Sequence, residues 1–257
     1  MSKQLMDLRV IANLELGELY NLLILSPVNF QLLPEIEPGQ FVQVAVPNSK
    51  NTFLRRPISV NRVTKDRREL HLLIRKAGDG TRKLTESQAG DILNILLPLG
   101  NGFPMTDMKG KRVLLIGGGV GVAPLLYYGE QLKIAGAEPV FLLGARSAKD
   151  ILLAGEFKAV APLCLSTEDG SVGAKGFVTE NPALDARFDV WAVCGPAPMM
   201  KAVAKMARER NIECFVSLEN MMACGLGACL CCVEKTVKGN VCVCTHGPVF
   251  NINDLTW

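Results

Sequence analysis

Histidine, charge of one sign and long apolar runs are all scarce in this sequence. The two histidines, His71 and His246, fall in a strand pattern and a turn pattern. Neither has an acid or nucleophile partner nearby in the chain, so no acid–base role attaches to them. Twenty-eight basic and 25 acidic residues leave a net charge of +3, with no clustered basic run. That argues against a nucleic-acid surface. The stretch Met1 to Arg9 carries Lys3, Asp7 and Arg9 and has no apolar core of an export signal. The longest uncharged run, Val113 to Gly129, contains five glycines and a proline. It reads as strand, loop and helix start, not as a membrane span.

What is present is apolar mass and cysteine. A chain of 257 residues with 49% hydrophobic and 21% charged residues is globular and long enough for two cored domains. Nine cysteines without an export signal point to the reducing cytoplasm and to metal binding, not to a disulfide framework.

Six of those cysteines crowd the C-terminal end. Cys224, Cys229 and Cys232 stand in the spacing C-x4-C-x2-C, followed by Cys242 and Cys244. This is the plant-type ligand spacing of a [2Fe–2S] cluster, whose fourth cysteine comes from later in the chain. Gly225 and Gly227 suit a loop whose backbone N–H groups must approach sulfur. A structural zinc site is the alternative, but it normally uses two short cysteine pairs. The fourth ligand is Cys242 or Cys244. If Val241 to Cys244 is extended, both side chains point the same way and alternation does not choose between them.

From Leu5 to about Pro98, short strand patterns alternate with turn signals. They are Leu8–Leu14, Leu19–Leu25, Gln40–Val46, Ile58–Val63, Glu69–Arg75 and Ile92–Leu97, with one short helix starting at Thr81. Six such strands predict a small antiparallel barrel. Within it, Arg55-Arg56-Pro57-Ile58-Ser59 offers a guanidinium fork for a pyrophosphate beside a rigid turn and a hydroxyl. Gly80-Thr81 adds backbone N–H groups near a helix start.

After Arg112 the texture changes. Val113–Ile116, Val140–Leu143, Leu163–Ser166, Val190–Cys194 and Cys214–Leu218 read as strands. Helical patterns Ala123–Ala135, Lys149–Val160 and Pro198–Asn211 intervene, which predicts a doubly wound parallel sheet. The first strand runs into Gly117-Gly118-Gly119-Val120-Gly121 and then Pro124, a loop that lets backbone approach a dinucleotide pyrophosphate. Cys194-Gly195-Pro196 ends the fourth strand, a position where such folds bind ligands, and Cys194 fits either the core or a nicotinamide contact. Cys164 and Cys214 read as small buried hydrophobes. Arg146 ends the second strand where a carboxylate would mark NAD, leaving NAD and NADP both open.

The order of these motifs resembles the ferredoxin–NADP reductase superfamily. More narrowly, Leu54 to Ser59, Pro98 to Phe103, Ser217 to Glu219 with Met222 to Cys229, and Gly247 to Phe250 resemble the electron-transfer subunits of type B dihydroorotate dehydrogenases. The resemblance covers essentially the whole chain. It implies an FAD-binding barrel over residues 1–104, an NAD-binding domain over 105–218 and a [2Fe–2S] segment over 219–257. It carries FAD binding to Arg56, Pro57, Ile58, Ser59, Leu73, Ile74, Arg75, Gly80 and Thr81. It carries the cluster to Cys224, Cys229, Cys232 and Cys244, favouring Cys244 because the family's last cysteine precedes x-x-G-P-V-F. Ile58 stands where the superfamily often has a flavin-stacking aromatic, Thr245-His246 replaces a commonly acidic pair, and Cys231 and Cys242 are extra thiols.

The implied function is an electron relay in pyrimidine biosynthesis. A partner subunit bearing FMN oxidises dihydroorotate, and electrons pass through [2Fe–2S] and FAD to NAD+, in a heterotetramer of two of each chain. No acid–base residue is then needed here. Two alternatives are a subunit of a sulfide dehydrogenase or ferredoxin–NADP oxidoreductase, which typically has Asp at the Cys224 position, and a zinc-stabilised regulatory protein.

Overall fold

The computed structural model describes residues 2–257, apart from the side chain of residue 30. The chain forms two compact units. The first holds residues up to Gly102 together with Asn220–Glu234 and Asn240–Pro248. The second holds Phe103–Glu219 together with Lys235–Gly239 and Val249–Trp257. The segment after Glu219 therefore contributes to both.

Six strands build the first unit: β1 (Gln4–Glu15), β2 (Tyr20–Pro27), β3 (Phe41–Val44), β4 (Arg56–Val63), β5 (Leu70–Arg75) and β6 (Ile92–Leu99). They close in the order β1-β2-β5-β4-β3-β6, each pair antiparallel, as the predicted barrel requires. Alternation explains the closure. In β1, Met6, Leu8 and Val10 point into the core while Leu5, Asp7 and Arg9 stay exposed. Helix α1 (Asp79–Thr85) follows β5 and is tied to β1, where the Asn13 Nδ2 donates to the carbonyls of Thr85 at 2.9 Å and Ser87 at 2.8 Å.

In the second unit, the predicted parallel strands form as β7 (Arg112–Gly118), β8 (Glu138–Ala145), β9 (Leu163–Thr167), β11 (Val190–Cys194) and β12 (Glu213–Ser217). Short β10 (Ala174–Lys175) and the C-terminal β15 (Val249–Asn251) complete a sheet ordered β10-β9-β8-β7-β11-β12-β15. Only β15 runs antiparallel. Chain order reverses at the β7/β11 boundary, so the fold is doubly wound. Helices α2 (Ala123–Ile134), α3 (Ala154–Val160) and α4 (Ala197–Glu209) cover the sheet. Gly129 lets α2 close on Phe141, and Phe141 meets Phe157 of α3 edge-on at 4.7 Å. Ahead of the sheet, the Tyr128 hydroxyl donates to the Pro104 carbonyl at 2.8 Å and its ring stacks on Phe103.

One predicted helix differs. Lys149–Val160 is broken into a 3-10 turn at Ala148–Asp150 and the shorter α3, because Leu153 takes a left-handed φ of 52° and is buried with Leu152. Burial of two adjacent leucines outweighs helical continuity there. Past Asn220, β13 (Val233–Thr236) and β14 (Gly239–Cys242) form a hairpin, and a single helical turn, α5 (Val243–His246), precedes β15.

Candidate functional site

In the barrel, two adjacent arginines have different fates. Arg55 spends its guanidinium on structure, donating to the Asn94 carbonyl at 2.8 Å and to the Gln43 carbonyl at 3.3 Å. Arg56 leaves its Nε buried and without a hydrogen-bond partner. A buried guanidinium nitrogen left in that state is poised for an anion. A Cβ on Gly80 would fall 2.5 Å from that Nε, so the glycine opens room for Arg56 at the start of α1. The structure thus brings Arg56 and Gly80 together, as a pyrophosphate cradle would need. Thr81 closes the helix start: its hydroxyl accepts from Ala77 and Gly78 N–H at 3.0 and 3.1 Å and donates to the Gly78 carbonyl. Pro57 and Ser59 are half-buried on β4, Ile58, Leu73 and Ile74 are buried, and Arg75 is exposed at the end of β5.

The second unit joins its two predicted motifs at the carboxyl ends of β7 and β11. Cys194 pairs in register with Gly117. Gly119 turns with φ of 56° into a 3-10 turn, and Pro124 occupies the first turn of α2. A Cβ on Gly121 would lie 2.5 Å from the Gly195 Cα and 2.6 Å from the Cys194 carbonyl carbon. On Gly118 it would meet Met199 at 2.7 Å and Pro196 at 3.2 Å. The glycines therefore serve close packing of two strand ends as well as backbone access. The Cys194 thiol is fully buried; burial and the Glu219 charge push it well above the usual thiol range, with only a Ser217 hydrogen bond opposing them. Cys214 behaves as the predicted buried hydrophobe, pushed up to about 12 by burial. Arg146 is exposed beyond β8.

The cysteine segment folds against the barrel. Gly225 and Gly227 take φ of 70° and 84°. A Cβ on the first would meet Gln43 at 2.9 Å, and on the second Thr245 at 2.9 Å, so both positions require glycine. Backbone donors converge on sulfur. Leu226 N–H reaches the Cys224 Sγ at 3.3 Å, Gly227 N–H the Cys244 Sγ at 3.1 Å, and Cys244 N–H the Cys232 Sγ at 3.4 Å. Against its own desolvation, N–H groups of Leu226, Cys229 and Ala228 and the Cys229 side chain bring the Cys224 thiol down to about 6. Burial and the neighbouring Cys232 sulfur push Cys244 up to about 12.

Cys224 interacts with Cys229, and Cys232 interacts with both Cys244 and Cys242. A [2Fe–2S] cluster takes four cysteine sulfurs that accept backbone N–H groups, and three of the four expected ligands accept one here. Cys242 lies at the end of β14 with its thiol toward the Gly227 carbonyl at 3.9 Å, while Cys244 turns inward on α5 and is 1% exposed. Asn101 braces this turn, donating to the Thr245 and His246 carbonyls at 3.2 and 3.0 Å. Sequence reading missed Asn101 as a support. Its only signal was membership of the Pro98–Phe103 motif.

Residues 219–256 match the family described as the iron–sulfur cluster binding domain of dihydroorotate dehydrogenase B. The chain is 41% identical over 227 residues to the dihydroorotate dehydrogenase B (NAD(+)) electron transfer subunit of Shouchella clausii, covering 85% of this chain and 86% of the relative. The same-named subunit of Lysinibacillus sphaericus is 42% identical over 228 residues, covering 86% and 87%. The chain belongs to this family.

Among solved structures, that of an NADH-dependent reduced ferredoxin–NADP oxidoreductase aligns with a TM-score of 0.86 at 28% identity, over 97% of this chain and 90% of the other. Phthalate dioxygenase reductase aligns at 0.62 and 20% identity, over 79% and 64%, and speaks to the fold alone. Dihydroorotate dehydrogenase B subunits thus stand at higher identity than the oxidoreductase of the alternative reading. The barrel, the doubly wound sheet and the cysteine loop are those of a ferredoxin reductase-like electron-transfer subunit.

Proposed function

We propose that this chain is the electron-transfer subunit of an NAD-linked dihydroorotate dehydrogenase, accepting electrons from an FMN-bearing catalytic subunit and delivering them to NAD+ in pyrimidine biosynthesis. The backbone N–H groups that converge on the Cys224, Cys232 and Cys244 sulfurs carry this reading, together with the family match. When bound, [2Fe–2S] and FAD supply one-electron and two-electron redox chemistry respectively. The chain's own residues bind and orient. Arg56, beside Gly80, holds the FAD pyrophosphate; Pro57, Ile58 and Ser59 on β4, Leu73 to Arg75 on β5 and Thr81 supply the remaining FAD contacts through side chains and backbone. Gly117, Gly118, Gly119, Gly121 and Pro124, with Cys194, Gly195 and Pro196, form the NAD site at the sheet's switch point. Cys224, Cys229, Cys232 and Cys244 hold the iron.

The natural assembly on this reading is a heterotetramer of two of each subunit. A thiolate-bound cluster and five further unpaired cysteines place the complex in the reducing cytoplasm on this reading. No helix among the described residues is long and apolar enough to cross a membrane. Anaerobic purification tests the cofactor set. One FAD and two irons per chain, with NADH bleaching the flavin, support it; a zinc-bearing, colourless protein contradicts it.

A further inference from the structure

Gln43 lies in the middle of β3 between Val42 and Val44 and is 0% exposed. Neither Nε2 nor Oε1 of its amide has a hydrogen-bond partner. A buried primary amide with both ends unpaired is costly, and leucine of similar volume would fill the same space without that cost. Such a residue calls for a partner.

Its surroundings indicate where that partner stands. In register, Gln43 faces Pro57 of β4 and Leu96 of β6. The cysteine loop covers this patch of wall: a Cβ on Gly225 would lie 2.9 Å from the Gln43 Cγ and 3.0 Å from its Nε2. Gly225 directly follows Cys224, whose sulfur already receives the Leu226 N–H. The orphaned amide therefore abuts the one stretch of backbone that presents hydrogen-bond donors to Cys224.

We propose that Gln43 is a positioning residue for the metal centre: its Nε2 donates to the sulfur shell at Cys224 when the cluster is bound, and so raises the cluster's reduction potential. A neutral N–H on a ligand sulfur disperses negative charge, and the reduced cluster carries one negative charge more than the oxidised. The inference rests on the cluster reading above.

The test compares holoprotein of wild type, Gln43→Leu and Gln43→Met by EPR-monitored redox titration, with the flavin potential read by absorbance in the same samples. Both variants should retain iron and show a lower cluster potential, by about tenfold in the reduction equilibrium or 59 mV for a one-electron couple. The flavin potential should not move. ENDOR of reduced protein exchanged into deuterium oxide should show exchangeable protons coupled to the cluster, from backbone N–H groups and from Gln43, and one of those couplings should be lost in Gln43→Met. Should Gln43→Leu misfold, the unbranched methionine variant and its ENDOR difference from wild type decide the matter. An unchanged cluster potential at full iron content, a shift confined to the flavin, or identical exchangeable couplings in wild type and Gln43→Met would overturn the inference alone. Wild-type protein that binds no iron would overturn the cluster reading and the inference with it.

Discussion

Cys242 and Cys244 show how far a single side chain can be read from sequence. Alternation leaves them equivalent only if the chain is extended, and the helical turn Val243–His246 removes that condition by turning Cys244 into the core. Cys244→Ser should therefore lose the cluster's visible absorbance, while Cys242→Ser and Cys231→Ser keep it; the reverse pattern would make Cys242 the ligand. A parallel contrast holds in the barrel. Arg55 is bound to Asn94, whereas Arg56 keeps an unpaired Nε against Gly80. Arg56→Ala should release FAD on desalting and leave the cluster spectrum intact, and Gly80→Val should do the same by displacing the guanidinium. Full flavin retention in both would remove Arg56 from the site. Gln43 was not legible in sequence at all. Strand alternation places a lone glutamine between valines on the solvent side, and the loop that covers it arrives about 180 residues later in the chain.

Among the elements, the barrel strands and the five parallel strands were legible because their residues repeat with period two or run continuously apolar between turn signals. The helix Lys149–Val160 was not, since burial of Leu152 and Leu153 interrupts it. Strand β15 and the β13–β14 hairpin escaped for a different reason. They are short, and their pairing partners lie far away in sequence or across a tight turn. The glycine loop was found for one reason and holds for two. Because a Cβ on Gly121 would strike Cys194 and Gly195, Gly121→Ala should displace the β11 end and abolish flavin reduction by NADH, with FAD content unchanged. Normal NADH reduction in that variant would contradict the NAD site proposed at the switch point. Asn101 ties the Gly100–Gly102 turn to the α5 carbonyls. Asn101→Ala should lower stability by about 1–2 kcal/mol, the scale of two lost side-chain hydrogen bonds, measured by denaturant unfolding of holoprotein. A change within error would mean that backbone bonds such as that from Asn101 N–H to the Gly247 carbonyl suffice to hold the turn.

At the scale of the molecule, one chain supplies a barrel, a doubly wound sheet and a cysteine segment that contributes to both compact units. Its two histidines lie apart: His71 is lowered by burial and paired with Glu69 at 3.3 Å, and His246 is exposed beside Thr245. The most direct measurement is dihydroorotate-driven NADH formation by the chain reconstituted with its FMN-bearing partner. Wild type should form NADH and show no preference for NADP+. The Cys244→Ser complex should form none, yet still oxidise NADH with an artificial acceptor that draws electrons from FAD. Full dihydroorotate-driven NADH formation by the Cys244→Ser complex, or a clear preference for NADP+, would contradict the account.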